Sequence, residues 1–103
     1  MFKLEPNPTF WTKVMIPVPG DDPIPVEMEF RHFTRKKLEE MREAESDKTI
    51  GISYCEQIVI GWRDVEQEFS RDALERLLDN WHGAGLAIFV AYHRELQQGR
   101  QKN

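Results

Sequence analysis

The alternation across residues 10–31 constrains this chain most. Phe10, Thr12, Val14, Ile16 and Val18 fall on one face, and Trp11, Lys13, Met15 and Pro17 on the other. Period two is the pattern of a β-strand. Pro17 has no amide donor, so this end is an edge or lies past the end of the ladder. Pro19-Gly20-Asp21-Asp22-Pro23 is a dense turn signal. Beyond it Val26, Met28 and Phe30 point one way, and Glu27, Glu29 and Arg31 the other. The prediction is an antiparallel hairpin over about 10–18 and 24–32, with one dry face and one wet face. Two strands alone are barely stable in water. The dry face must therefore meet helices or a second copy.

The chain after the hairpin supplies helices. Thr34 is a candidate cap, with Phe33 before it and Leu38 where a hydrophobic staple lands. Leu38 and Met41 make a thin apolar stripe over about 35–44. Residues 45–52 read as a loop around Gly51. Ser53-Tyr54-Cys55-Glu56 matches a capping box, and Tyr54, Cys55, Ile58, Val59 and Trp62 follow helical spacing. A helix over about 54–62 is expected, although Ile58-Val59-Ile60 also suits a strand. Phe69-Ser70 repeats the earlier cap and staple, with Asp72 in the first turn. Leu74, Leu77, Leu78 and Trp81 form a stripe over about 71–81. Gly83-Ala84-Gly85 ends or redirects that helix. A last helix is expected over about 86–98, with Ile88, Phe89, Tyr92 and Leu96 as its apolar face. Residues 1–9 read as loose and 99–103 as a polar tail. The fold class is α+β, and 103 residues suit one domain with a modest core.

Catalytic chemistry lacks its partners. His82 and His93 do not make the i, i+4 pair of a zinc helix, His32 stands apart, and Cys55 is the one cysteine. No metal and no cofactor is expected. Cys55 lies among Tyr54, Ile58 and Val59, where burial leaves a thiol inert; its first-turn position is the one feature that would lower a thiol pKa. The carboxylates sit in mixed-charge runs, which are solvated faces rather than a cleft pair. The glycines make neither a phosphate loop nor a dinucleotide fingerprint. Net charge is −4 and no segment is strongly basic, so a nucleic-acid partner is not expected. No apolar run approaches the roughly 20 residues that span a bilayer, and no signal peptide is read in residues 1–18. A lone cysteine suits a reducing compartment, so the cytoplasm is the expected location.

The aromatic side chains carry more. Eleven in so short a chain, three of them Trp, exceed what a small core needs to cover. Trp62 and Trp81 stand at predicted helix ends, where they serve either packing or a partner. Trp11 lies on the second face of the hairpin, partly exposed or covered by another chain.

The ordered landmarks resemble a known family. They are Val-Pro-Gly-Asp-Asp-Pro-Ile-Pro-Val-Glu-Met-Glu-Phe-Arg-His (18–32), Ile-Val-Ile-Gly-Trp (58–62), Phe-Ser-Arg-Asp-Ala-Leu-Glu-Arg-Leu-Leu (69–78), Ile-Phe-Val-Ala-Tyr (88–92) and Lys-Asn (102–103). The set is similar to the small tail assembly chaperones of long-tailed bacteriophages and prophages. Gly61-Trp62 followed by the Phe69-Ser70 helix start is the most specific part. The resemblance implies a non-enzymatic protein that bridges the tape measure protein and the tail tube protein during assembly. It also implies self-association, a place in the cytoplasm of the bacterial host, and absence from the mature virion. It carries no catalytic residues to transfer. A partner that is long and helical calls for an apolar groove ringed by charge. Trp62, Leu77, Trp81, Phe89 and Tyr92 are either that groove or simply the monomer core, and Trp11 marks the other candidate surface. The alternative function is a minor structural or connector protein of the phage particle.

Overall fold

The computed structural model describes residues 1–45 and 50–99. Residues 46–49 and 100–103, which hold much of the loop and tail expected from sequence, lie outside the described residues. Strands β1 (Thr9–Ile16) and β2 (Ile24–Arg31) form the expected hairpin. Phe10 pairs with Phe30, Thr12 with Met28 and Val14 with Val26, which puts like faces together. The Asp21 N–H donates to the Val18 carbonyl at 3.0 Å. Pro19 and Gly20, at φ +77°, occupy the central positions that a type II turn assigns to proline and glycine.

Helix α1 (Arg35–Ala44) is capped by Thr34, whose hydroxyl accepts from the Lys37 N–H at 3.1 Å. Its buried residues are Leu38 and Met41, the two predicted. The helix expected over 54–62 is corrected. Helix α2 is Ile52–Ile58, and strand β3 is Val59–Arg63, with no loop between them. β3 adds antiparallel to β2, in sheet order β1-β2-β3. Gly61 faces Glu29 while Val59 faces Phe30, so a bulge at Ile60 absorbs the extra residue. The open edge of β2 explains the switch. Val59 and Ile60 are β-branched, and pairing satisfies backbone groups that a longer helix would leave open on the sheet. The capping box does not form either. Gly51 is the cap position, the Ser53 hydroxyl donates to Glu45 at 2.6 Å, and Glu56 accepts from Arg71 at 2.7 Å.

Helix α3 (Arg71–Asn80) starts as predicted, with Ser70 Oγ accepting from the Ala73 N–H at 3.0 Å. Helix α4 (Ala84–Gln98) starts two residues earlier than read, so Gly83 stands just before it and Gly85 lies inside. It runs antiparallel to β1. Gly83 packs on Pro17 at one end, and Thr12 donates to Glu95 at 2.9 Å near the other.

The core lies between the dry sheet face and the helices. Val14, Met28, Phe30, Tyr54, Cys55, Ile58, Leu74, Ile88 and Tyr92 are fully buried. Tyr92 locks the parts together. Its ring stacks with Phe10 at 5.7 Å and meets Phe30 at 5.2 Å, and its hydroxyl donates to the Arg31 carbonyl at 2.8 Å.

Gly85 makes the closest helix contact. A Cβ there would sit 2.3 Å from the Ile50 carbonyl oxygen. Glycine-to-alanine changes inside helices ordinarily gain up to about 1 kcal/mol. Here overpacking against backbone, at about 1–3 kcal/mol, outweighs that gain. Gly85→Ala is expected to lower the urea midpoint, and an unchanged or raised midpoint would contradict the close approach.

Candidate protein-binding groove

Trp62 is placed by β3 rather than by a helix end. It pairs with Met28, so its ring lies on the core side of the sheet near the edge. Its indole N–H donates to the Gln67 carbonyl at 2.8 Å, which closes the 64–68 loop back on the strand. Asp64 makes the turn with φ +59°, a conformation that aspartate tolerates better than most residues. Phe69 meets the Trp62 ring edge-on, with centroids 5.1 Å apart. Arg76 donates to the Gln67 side chain at 2.6 Å and holds the loop against α3.

Helix α3 divides its apolar residues between two jobs. Leu74 is fully buried and Leu78 packs on the core. Ala73, Leu77 and Trp81, spaced four apart, form a neighbouring stripe. With Trp62, Val26 and Val65 they line an open groove of about 300 Å³. Trp81 remains 37% exposed and Val65 likewise, so apolar surface is left uncovered in the monomer, beside Glu66, Gln67, Arg76 and Asn80 of the same lining. Three of the five sequence candidates therefore meet there: Trp62, Leu77 and Trp81. The sequence reading missed Val26, Val65, Ala73 and Arg76 as lining. The four-residue spacing back from Trp81 through Leu77 to Ala73 was the available signal.

Phe89 and Tyr92 lie elsewhere. Tyr92 is inside, with 0% of its surface exposed, and presents no ring to a partner in this conformation. Phe89 is half-buried, against Tyr54 at 5.8 Å and His93 at 4.3 Å, with the Arg42 guanidinium 5.2 Å from its ring. Trp11 is on the outer face of the hairpin, as predicted, but its own chain covers much of it. Arg63 lies over the Trp11 ring at 4.2 Å and is paired with Glu27. That cross-strand stack escaped the sequence reading because β3 was not recognised. Beyond it Trp11, Lys13 and Met15 face Val90 and Arg94 across a larger depression of about 760 Å³.

A family model for phage tail assembly chaperones matches residues 1–103. The chain belongs to the phage tail assembly chaperone family. Membership in a chaperone family points to a non-enzymatic role. Searches of curated proteins and of solved structures found no match. Burial pushes the Cys55 thiol up to about 12, with the Glu45 charge adding to it, so the helix turn does not activate this cysteine. Among the described residues, no three of His, Cys, Asp and Glu converge as metal ligands. No described helix is long and apolar enough to cross a membrane.

His93 is a half-buried ionisable group in the chaperone's packing. Its Nε2 pairs with the Tyr54 hydroxyl at 3.2 Å, and it packs on Phe89 and Tyr92. Burial, then the nearby Arg42 charge, holds its pKa below the ordinary 6.5. The unfolded chain therefore takes up this proton first as pH falls. The contribution of neutral His93 is complete above about pH 6.5 and is lost as pH drops towards its folded value. Lowering the pH from 7.5 to 5.5 is expected to lower Tm, and His93→Gln to flatten that fall. An equal pH response in the variant would contradict the role given to His93.

Proposed function

We propose that this chaperone holds the tape measure protein through the Trp62, Leu77 and Trp81 groove and helps recruit tail tube protein during tail assembly. It acts in the cytoplasm of the bacterial host, its copies self-associate, and it leaves before the virion is finished. Family membership supports the assembly role. The observation that carries the binding surface is the exposed Trp81 beside the half-buried Trp62, at an apolar groove that the fold does not fill. Large aromatic side chains in such settings dominate binding energies. A helical partner with apolar anchors would seat them between the two indoles.

The two tryptophans separate stability from binding. Trp81 follows the last turn of α3 and is exposed, so Trp81→Ala is expected to leave the unfolding midpoint nearly unchanged. It should weaken capture of the tape measure protein by about 2 kcal/mol or more, roughly 30-fold. Trp62 also carries the Gln67 hydrogen bond and the Phe69 contact, so Trp62→Ala should lose about 2–4 kcal/mol of stability as well. Capture unchanged in both variants would contradict the groove as the binding surface. Mass spectrometry of purified particles should find no peptide of this chain; stoichiometric peptides would favour a connector or minor structural subunit.

A further inference from the structure

The sheet has two edges, and they differ. β3 has five residues and a bulge at Ile60, and the Trp62 indole ties the 64–68 loop back on it. β1 has eight residues, a continuous register and prolines only beyond its ends, at Pro8 and Pro17. Among the described residues no strand pairs with its other side. Proteins ordinarily shorten, bulge or cover an edge of this kind. The register fixes which backbone groups lie on it. The His32 N–H donates to the Pro8 carbonyl at 2.8 Å, and pairing runs unbroken from Thr9↔Arg31 to Ile16↔Ile24. Antiparallel ladders alternate bonded and non-bonded pairs. Phe10, Thr12, Val14 and Ile16 therefore bond to β2, and the N–H and C=O groups of Thr9, Trp11, Lys13 and Met15 point to the open edge.

We infer that the β1 edge takes an extended segment of another protein as an added strand, and that this segment carries acidic side chains among β-branched ones. An extended backbone is what matches a row of donors and acceptors along a strand. Between the edge and α4 lies the open depression of about 760 Å³, with Val90 and Arg94 on its helical wall. A strand added there turns one set of side chains towards Val90 and Arg94 and the other towards Trp11, Lys13 and Met15. Lys13 and Arg94 are exposed and form no ion pair among the described residues. The acids of the lining are engaged: Glu27 with Arg63, and Glu95 with the Thr12 hydroxyl. Carboxylates on the incoming strand meet the two unpaired cations, whereas lysines meet like charge. A second copy does not fit. α4 lies along β1 on the core side, with Gly83 on Pro17 and Glu95 on Thr12. Two β1 strands paired antiparallel would be about 5 Å apart and would set their α4 helices on the same side at a similar spacing. Packed helices need about 8–10 Å. The two Lys13 side chains would also come close together. An isolated segment brings neither a helix nor that charge. The Trp62–Trp81 groove stays free, so both surfaces can be filled at once.

The test uses a blocked synthetic peptide as long as β1, made of valine, threonine and glutamate, and a second with lysine in place of glutamate. Each is titrated into the full chain and into the Lys13→Pro, Arg94→Glu and Trp81→Ala variants, followed by amide chemical shifts. Lys13→Pro removes an outward N–H and leaves the bonds to β2 in place. Thermal melts check that fold, and Arg94→Glu changes only an exposed side chain. The inference expects saturable binding of the glutamate peptide, with shifts in residues 9–16 and 90–95 and no loss in Trp81→Ala. It expects binding about tenfold weaker for the lysine peptide and for Lys13→Pro, and weaker in the same sense for Arg94→Glu. No saturable binding, equal affinity for the two peptides, or shifts confined to residues 62–68 and 71–81 would overturn it. The first two of these leave the groove reading standing. Sedimentation of the full chain and Lys13→Pro covers the remaining occupant. Self-association that is lost in Lys13→Pro would give this edge to a second copy and overturn the inference.

Discussion

The contact on which the rest depends is Tyr92 seated between the hairpin and the helices. A two-stranded ribbon has too little core to stand alone. The Tyr92 ring fills the space beside Phe10 and Phe30, and its hydroxyl satisfies the Arg31 carbonyl at the end of β2. Burial of a ring, the stacking geometry and a buried hydrogen bond act at one point. With α4 fixed along β1, Tyr54, Ile58 and Leu74 close the other side of the core. β3 then completes the sheet and sets Trp62 at its margin.

That arrangement explains why an apolar groove exists. The sheet has three strands and the core is small. α3 can turn Leu74 inward, but its stripe is wider than the space available. Leu77 and Trp81 are left beside Trp62, at a wall held up by the 64–68 loop. A chain evolved only for solubility would not keep two indoles and Val65 around an open depression. The surface on the other side of the sheet differs. Arg63 spreads over Trp11 and pairs with Glu27, so the indole on the wet face is partly covered by its own chain.

Much of the fold was legible, element by element. The hairpin followed from strict alternation, and α1 and α3 from caps whose hydroxyls accept the expected amides. β3 was not, because Ile58-Val59-Ile60-Gly61-Trp62 satisfies both periods and the deciding factor, the open edge of β2, is tertiary. That one ambiguity also hid the Arg63–Trp11 stack and moved Trp62 from a helix end to a strand. The candidate site was half legible. Leu77, Trp81 and Trp62 were named together, but Tyr92 and Phe89 shared their spacing and hydrophobicity. Nothing in one sequence tells an apolar side chain that fills the core from one that waits beside it.

Hydrogen exchange on the chaperone, with and without its tape measure protein, addresses the central claim most directly. The account predicts new protection in residues 62–68 and 71–83, around the two tryptophans, and little change on the outer hairpin face near Trp11. Protection confined to residues 11–15 and 90–94, with the groove still exchanging freely, would contradict it.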